Sequence, residues 1–153
     1  MIKAVSDETT NDATRPALFT HNMFIIWQPE FNLGIPIIDE QHRGIVSTIN
    51  SFYYGMQSNY IEDMLLPVID MVYDYTYLHF RIEENLLEQV GFPDVKSHHK
   101  IHQGLSSKLN LIGRKSVLDK DPYRLLDFLK DWWIHHICSD DMVFRNYLLC
   151  PEE

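Results

Sequence analysis

From Ile38 onward, apolar residues recur at alternating steps of four and three, the period of helices with one buried stripe. Ile38, His42, Ile45, Ile49, Phe52 and Met56 predict a first helix of about 39–57, ending near Ser58 and Asn59. Leu65, Ile69, Val72, Thr76, His79, Glu83, Leu86 and Val90 predict a second over about 61–89, closed by Gly91 and Pro93. Pro67 falls in its first turns, where a missing donor does little harm. Val95, His98, His102, Leu105, Leu109 and Ile112 predict a third over about 94–114, ended by Gly113 and the polar residues after it. A fourth opens at Asp121-Pro122, with Asp as N-cap and Pro as first helical residue, along Leu125, Leu129, Trp132, His136, Val143 and Tyr147. Four such helices with short links predict an all-α, up-down-up-down four-helix bundle.

Upstream, Phe24 to Ile38 holds Trp27, Pro29, Gly34 and Pro36, which forbid a long helix but supply large apolar side chains. It reads as an extended N-terminal arm packed across the bundle. Residues 1–20 are polar with no hydrophobic period and read as a flexible tail, leaving one domain over 21–153.

The seams contain residues that do not belong in an apolar core. His42, His79, Glu83, His98, His102 and His136 all take inward positions. A carboxylate and five imidazoles buried together would cost several kcal/mol, roughly, without a partner. Metal ions are the simplest partner for all of them. His79 and Glu83 are four residues apart, as are His98 and His102, so each pair leaves one face of its own helix. A single inward His is more often a hydrogen-bonded core residue, and one such pair is common on solvated faces. The conjunction over four helices is what points to metal. His21, His99 and His135 fall off the seams and read as surface residues.

A single zinc takes about four ligands, and this set is larger, has no thiolate and includes no HExxH helix. The excess suggests two ions. Imidazole with carboxylate suits iron, manganese or zinc, so donor softness alone does not name the metal. The ferritin-like carboxylate bundles offer mainly Glu and differ from this set.

Net charge is −9, from 13 basic and 22 acidic residues. With no basic run to track a phosphate backbone, nucleic acid and anionic membrane are poor partners. The absence of a long apolar run or secretory signal leads us to expect a cytoplasmic protein. Cys138 and Cys150 form no CxxC pair and read as reduced thiols.

The motifs IDEQH at Ile38–His42, HFRIEE at His79–Glu84, GFP with HHKIH over Gly91–His102, and WWIHHICSDD at Trp132–Asp141 together resemble the hemerythrins, bacteriohemerythrin domains in particular. The likeness covers about Phe24 to Tyr147, and the lead-in WQPEFNLGIPIIDEQH resembles the family's N-terminal arm. It implies a non-heme centre of two iron ions with an oxo or hydroxo bridge that binds dioxygen reversibly. Carried over by position, His42, His79, Glu83, His98, His102, His136 and Asp141 would be the ligands, with Glu83 and Asp141 bridging. Ile45, Phe80, Trp132 and Trp133 would wall the dioxygen pocket. Helix geometry favours Asp140 over Asp141, because four residues from His136 keep the face whereas five turn it by about 140°; the family pattern has the longer spacing. Trp133 also departs from the family, which more often carries an aliphatic residue there.

The resemblance leaves the use open. A dioxygen- or redox-sensing domain working through a signalling output domain or partner protein comes first. A free-standing dioxygen carrier or store is the alternative. A peroxide or nitric oxide reductase ranks behind both, since no additional acid or base lies in the seams, and the expectation is a binding protein rather than an enzyme.

Overall fold

A computed structural model describes residues 23–58 and 60–149. The expected tail, His21 and Cys150 lie outside them. Helix α1 spans Pro36–Gln57, α2 Ile61–Gln89, α3 Val95–Leu118 and α4 Pro122–Trp132. Consecutive helices pack side by side and α4 returns to α1, closing an all-α bundle. No helix among the described residues is long and apolar enough to cross a membrane.

The fourth rod changes geometry partway. After Trp132 the backbone runs as a π-helix over Trp133–Asp140 and resumes as helix α5 at Met142–Leu149. The π segment accommodates one residue more than the regular period allows, so every later residue is rotated. Val143, expected inward, is therefore 69% exposed, and Phe144 is fully buried in its place.

Two helix ends show how backbone chemistry sets lengths. At the end of α2, Gly91 takes φ +70°, its N–H donates to the Glu88 carbonyl, and Phe92 N–H donates to the Leu87 carbonyl. This is a Schellman ending, and Phe92 and Leu87 bury together beneath it. Val90, counted as inward, is exposed because the helix stops there. Helix α3 does not stop at Gly113. It runs to Leu118, and Lys120 takes the left-handed position with φ 51°, while Asp121 N–H reaches the Ser116 carbonyl. Gly113 serves packing instead, since a Cβ there would lie 3.2 Å from Ile69 Cγ2.

The arm lies across the bundle as expected. The Asn50 side chain pairs with both backbone groups of Ile25, and Asp39 of α1 accepts from Leu33 N–H at 2.6 Å and Gly34 N–H at 3.0 Å. Arg43 stacks over the Trp27 ring at 4.4 Å and donates to Asn32. Trp27 and Phe31 then close on Trp133, with ring centroids 5.7 and 5.3 Å away. The arm thus grips the π segment.

Candidate metal centre

The seven residues expected from the sequence come together between the helices, and each is at most 5% exposed. They form two overlapping donor sets. Glu83, His98, His102, His136 and Asp141 each offer one atom within 4.8 Å of the others, and so do His42, His79, Glu83 and Asp141. Only the two carboxylates are common to both. Three imidazoles gather on one side and two on the other, with Glu83 and Asp141 between.

The π-helix is what brings Asp141 into this space. Its N–H donates to the His136 carbonyl at 3.0 Å, an i to i+5 bond that closes one turn between the two residues. Asp141 Oδ1 lies 3.3 Å from His136 Nε2 and 3.5 Å from His98 Nε2, and Oδ2 lies 3.4 Å from His42 Nε2. Asp140, which regular geometry favoured, sits behind His136 with Oδ2 3.4 Å from Nδ1.

The chemistry of the set calls for cations. His102 Nδ1 donates to Glu84 at 2.7 Å, which leaves Nε2 with a bare lone pair. That atom stands 3.1 Å from His136 Nε2, whose Nδ1 likewise faces Asp140. Two lone pairs at this separation repel unless a positive charge lies between them. Buried atoms with no hydrogen-bond partner include both nitrogens of His42, His79 Nε2, Glu83 Oε2 and both oxygens of Asp141, and of the two His42 nitrogens Nε2 is the one that faces Asp141. Unsatisfied groups in such concentration are not a stable core by themselves.

Electrostatics agree. Burial pushes His42 and His136 down to about 4 and lowers His79, His98 and His102, so every imidazole is neutral at neutral pH. Burial also lifts Asp141 to about 6, and it raises Glu83 well above the usual carboxylate range with Asp141 as second cause. Neutral imidazole is the ligand form, whereas the carboxylates resist ionising until a cation faces them.

The expected pocket residues are buried, but they face different neighbours. Phe80 stacks on His102 with centroids 3.8 Å apart and meets His136 edge-on at 5.7 Å. Trp132 lies 6.1 Å from Phe80, and Ile45 is fully buried in the same apolar cluster. Trp133 makes its ring contacts with Trp27 and Phe31 of the arm.

Further residues hold the donors, and apart from Asp140, which helix geometry favoured as a ligand, periodicity did not single them out. Gln41 Oε1 faces His79 Nδ1 at 3.0 Å, and the Tyr75 ring stacks on His79 while its hydroxyl donates to the Gln41 carbonyl. Glu84 accepts from His102, and Asp140 lies behind His136. Gln41, Glu84 and Asp140 each adjoin a donor in the chain, and that adjacency was the available signal.

Comparison with known proteins points to a cation-binding family. The family model described as the hemerythrin HHE cation binding domain matches residues 33–148. The chain is 31% identical over 123 residues to the bacteriohemerythrin of Stenotrophomonas maltophilia, covering 80% of each protein. It is 32% identical over 118 residues to that of Pseudomonas aeruginosa, covering 76% of each. It is 29% identical over 129 residues to that of Clostridium acetobutylicum, covering 80% of this chain and 98% of the relative.

Proposed function

We propose, from the premise that the chain belongs to the hemerythrin family, that it is a non-heme di-iron protein that binds dioxygen reversibly and senses it. The observation that carries this reading is the pair of donor sets sharing only Glu83 and Asp141, which suits two adjacent cations joined by carboxylates. His98, His102 and His136 would hold one iron and His42 and His79 the other, with both carboxylates bridging. When bound, the two irons supply the electrons that dioxygen takes up and returns.

The chain's own residues provide the conditions for reversal. Phe80 lies flat on His102 and edge-on to His136, and with Trp132 and Ile45 it keeps water from the donor space. Gln41 and Glu84 orient two of the rings through Nδ1, leaving Nε2 to face inward. Tyr75 braces His79 and the Gln41 backbone. The described chain offers dioxygen a dry, apolar reception.

The sensing part of the proposal rests on the π segment. His136 belongs to it and Asp141 follows it directly, while the arm holds its Trp133. A change in the centre that moves either donor is thereby passed to the arm and to α5. A cytoplasmic site and a signalling partner or output domain fit this role.

The test begins with anaerobic loading of the full chain with ferrous iron, followed by admission and removal of dioxygen. Two irons per chain and a visible charge-transfer band that comes and goes with the gas are expected. Absence of bound iron refutes the proposal, and an irreversible ferric change on first exposure redirects it toward reductase chemistry. Amide hydrogen exchange over residues 24–34 and 133–149 then separates sensing from carriage. Protection that changes on oxygenation supports the sensor; unchanged protection assigns the chain to the carrier alternative.

A further inference from the structure

A metal-binding histidine is positioned by whatever holds its other nitrogen, and a carboxylate there makes the ring a better donor than a neutral amide does. The two donor sets differ in this respect. In the three-histidine set, His102 Nδ1 donates to Glu84 Oε1 at 2.7 Å, and His136 Nδ1 faces Asp140 at 3.4 Å. In the two-histidine set, His79 Nδ1 meets the amide oxygen of Gln41 at 3.0 Å, and neither nitrogen of His42 has a hydrogen bond. Asp39 lies near His42, but its oxygens face the arm's Leu33 and Gly34 N–H groups and make no hydrogen bond to the ring.

Glu84 is itself held in place. The amide N–H of Gln103 points at His99 Nε2 at 2.9 Å, and His99 Nδ1 reaches Glu84 Oε1, also at 2.9 Å. Donation therefore runs in one direction from Gln103 through His99 to Glu84, and His102 donates to the same oxygen from the other side. This arrangement fixes the tautomer of both rings. His99, an exposed residue off the helix seam, thus belongs to the support of a buried donor.

We infer that Glu84 is a positioning residue that makes the two metal subsites unequal, so that a first divalent cation fills the His98, His102 and His136 side and a second enters the His42 and His79 side more weakly. This rests on the di-iron reading of the site, but it concerns loading order and needs no dioxygen chemistry. The five-donor set adds to the difference, since the other offers four.

The experiment is an anaerobic titration of the chelator-treated full chain with cobalt(II), followed by calorimetry and visible absorption. The wild type is expected to take two ions in two resolved steps. Glu84→Gln, which keeps an acceptor oxygen for His102 but removes the charge, is expected to weaken the first step about tenfold to a hundredfold and leave the second unchanged. Gln41→Glu is expected to tighten the second step alone. Changes confined to one step distinguish positioning from a general loss of structure, and circular dichroism of each metal-free variant verifies the fold. His99→Ala, which removes the outer support of Glu84, is expected to weaken the first step less than Glu84→Gln does. Two ions binding in one unresolved step, or a Glu84→Gln effect shared by both steps or seen in neither, overturns the inference and leaves the di-iron reading standing. No cobalt bound by the wild type overturns both.

Discussion

Replacing Asp141 by Asn is expected to stabilise the metal-free protein at neutral pH while abolishing the stabilisation that metal provides. Asp141 is fully buried, and burial lifts its carboxyl from an ordinary 3.8 to about 6. A folded-state pKa raised in this way favours the fold below the unfolded value and loses that contribution as pH rises through the folded one. At about 1.4 kcal/mol per pH unit, the interval from 3.8 to about 6 amounts to about 3 kcal/mol, lost by neutral pH. Asn carries no charge, and its amide can donate to the bare ring nitrogens of His42 or His136, which lie 3.4 and 3.3 Å from the Asp141 oxygens.

Since 1 kcal/mol moves Tm by about 2–4 °C at this size, metal-free Asp141→Asn should melt about 6–12 °C above metal-free wild type near pH 7. The gap should close as pH falls below about 4. The histidines contribute a trend of opposite sign. Burial lowers His42 and His136 from 6.5 to about 4, so both proteins lose stability as pH falls through that window. Comparing variant with wild type at each pH cancels that shared trend to first order. Thermal melts by far-ultraviolet circular dichroism, from about pH 3.5 to 7.5, provide the measurement. With excess ferrous ion under anaerobic conditions the order should invert, because a neutral amide is a poor bridge between cations. A metal-free variant that melts at or below wild type near neutrality, or a gap that ignores pH, would refute the reasoning.

Two further outcomes are expected. Asp141→Ala should lose bound iron by metal analysis while Asp140→Ala retains it, since Asp141 faces both donor sets and Asp140 touches only the back of His136; the opposite iron contents would overturn the assignment. Asp39→Ala should cost about 3 kcal/mol in denaturant unfolding, because it strips acceptors from Leu33 and Gly34 N–H and leaves the buried one unpaired; a cost below about 0.5 kcal/mol, the range of ordinary surface substitutions, would show that the arm is held by its aromatic contacts instead.

Much of the bundle was legible because burial imposes a period. Ile45, Ile49 and Phe52 of α1 and Leu125, Leu129 and Trp132 of α4 are buried where a regular helix puts them. The donors were legible for the converse reason, since His and Glu on an apolar stripe break a pattern that desolvation otherwise enforces. The end of α3 was not legible. Gly113 carries the residue type of a helix stop but occupies a close contact with Ile69, and the left-handed position fell to Lys120, a residue type that rarely takes it. Nor were Gln41 and Glu84 distinguishable as supports, because a polar residue beside a seam looks the same whether it meets solvent or a ring nitrogen.

The fourth rod carries the sharpest lesson, because there two local rules disagree and the site explains the outcome. Counting by regular turns puts Asp140 over His136 and Val143 inward; the chain instead buries Asp141 and Phe144. Both departures have the same sign and the same size, one residue, which is what a single stretch of i to i+5 bonding produces. A π segment has poorer packing than a regular helix and persists where its surroundings compensate. Here the compensation is visible on both sides. Trp133 is clasped from outside by Trp27 and Phe31, and within, Asp141 completes both donor sets at once. The arm and the donor cluster therefore meet the same distortion from opposite faces, at Trp133 outside and at Asp141 within.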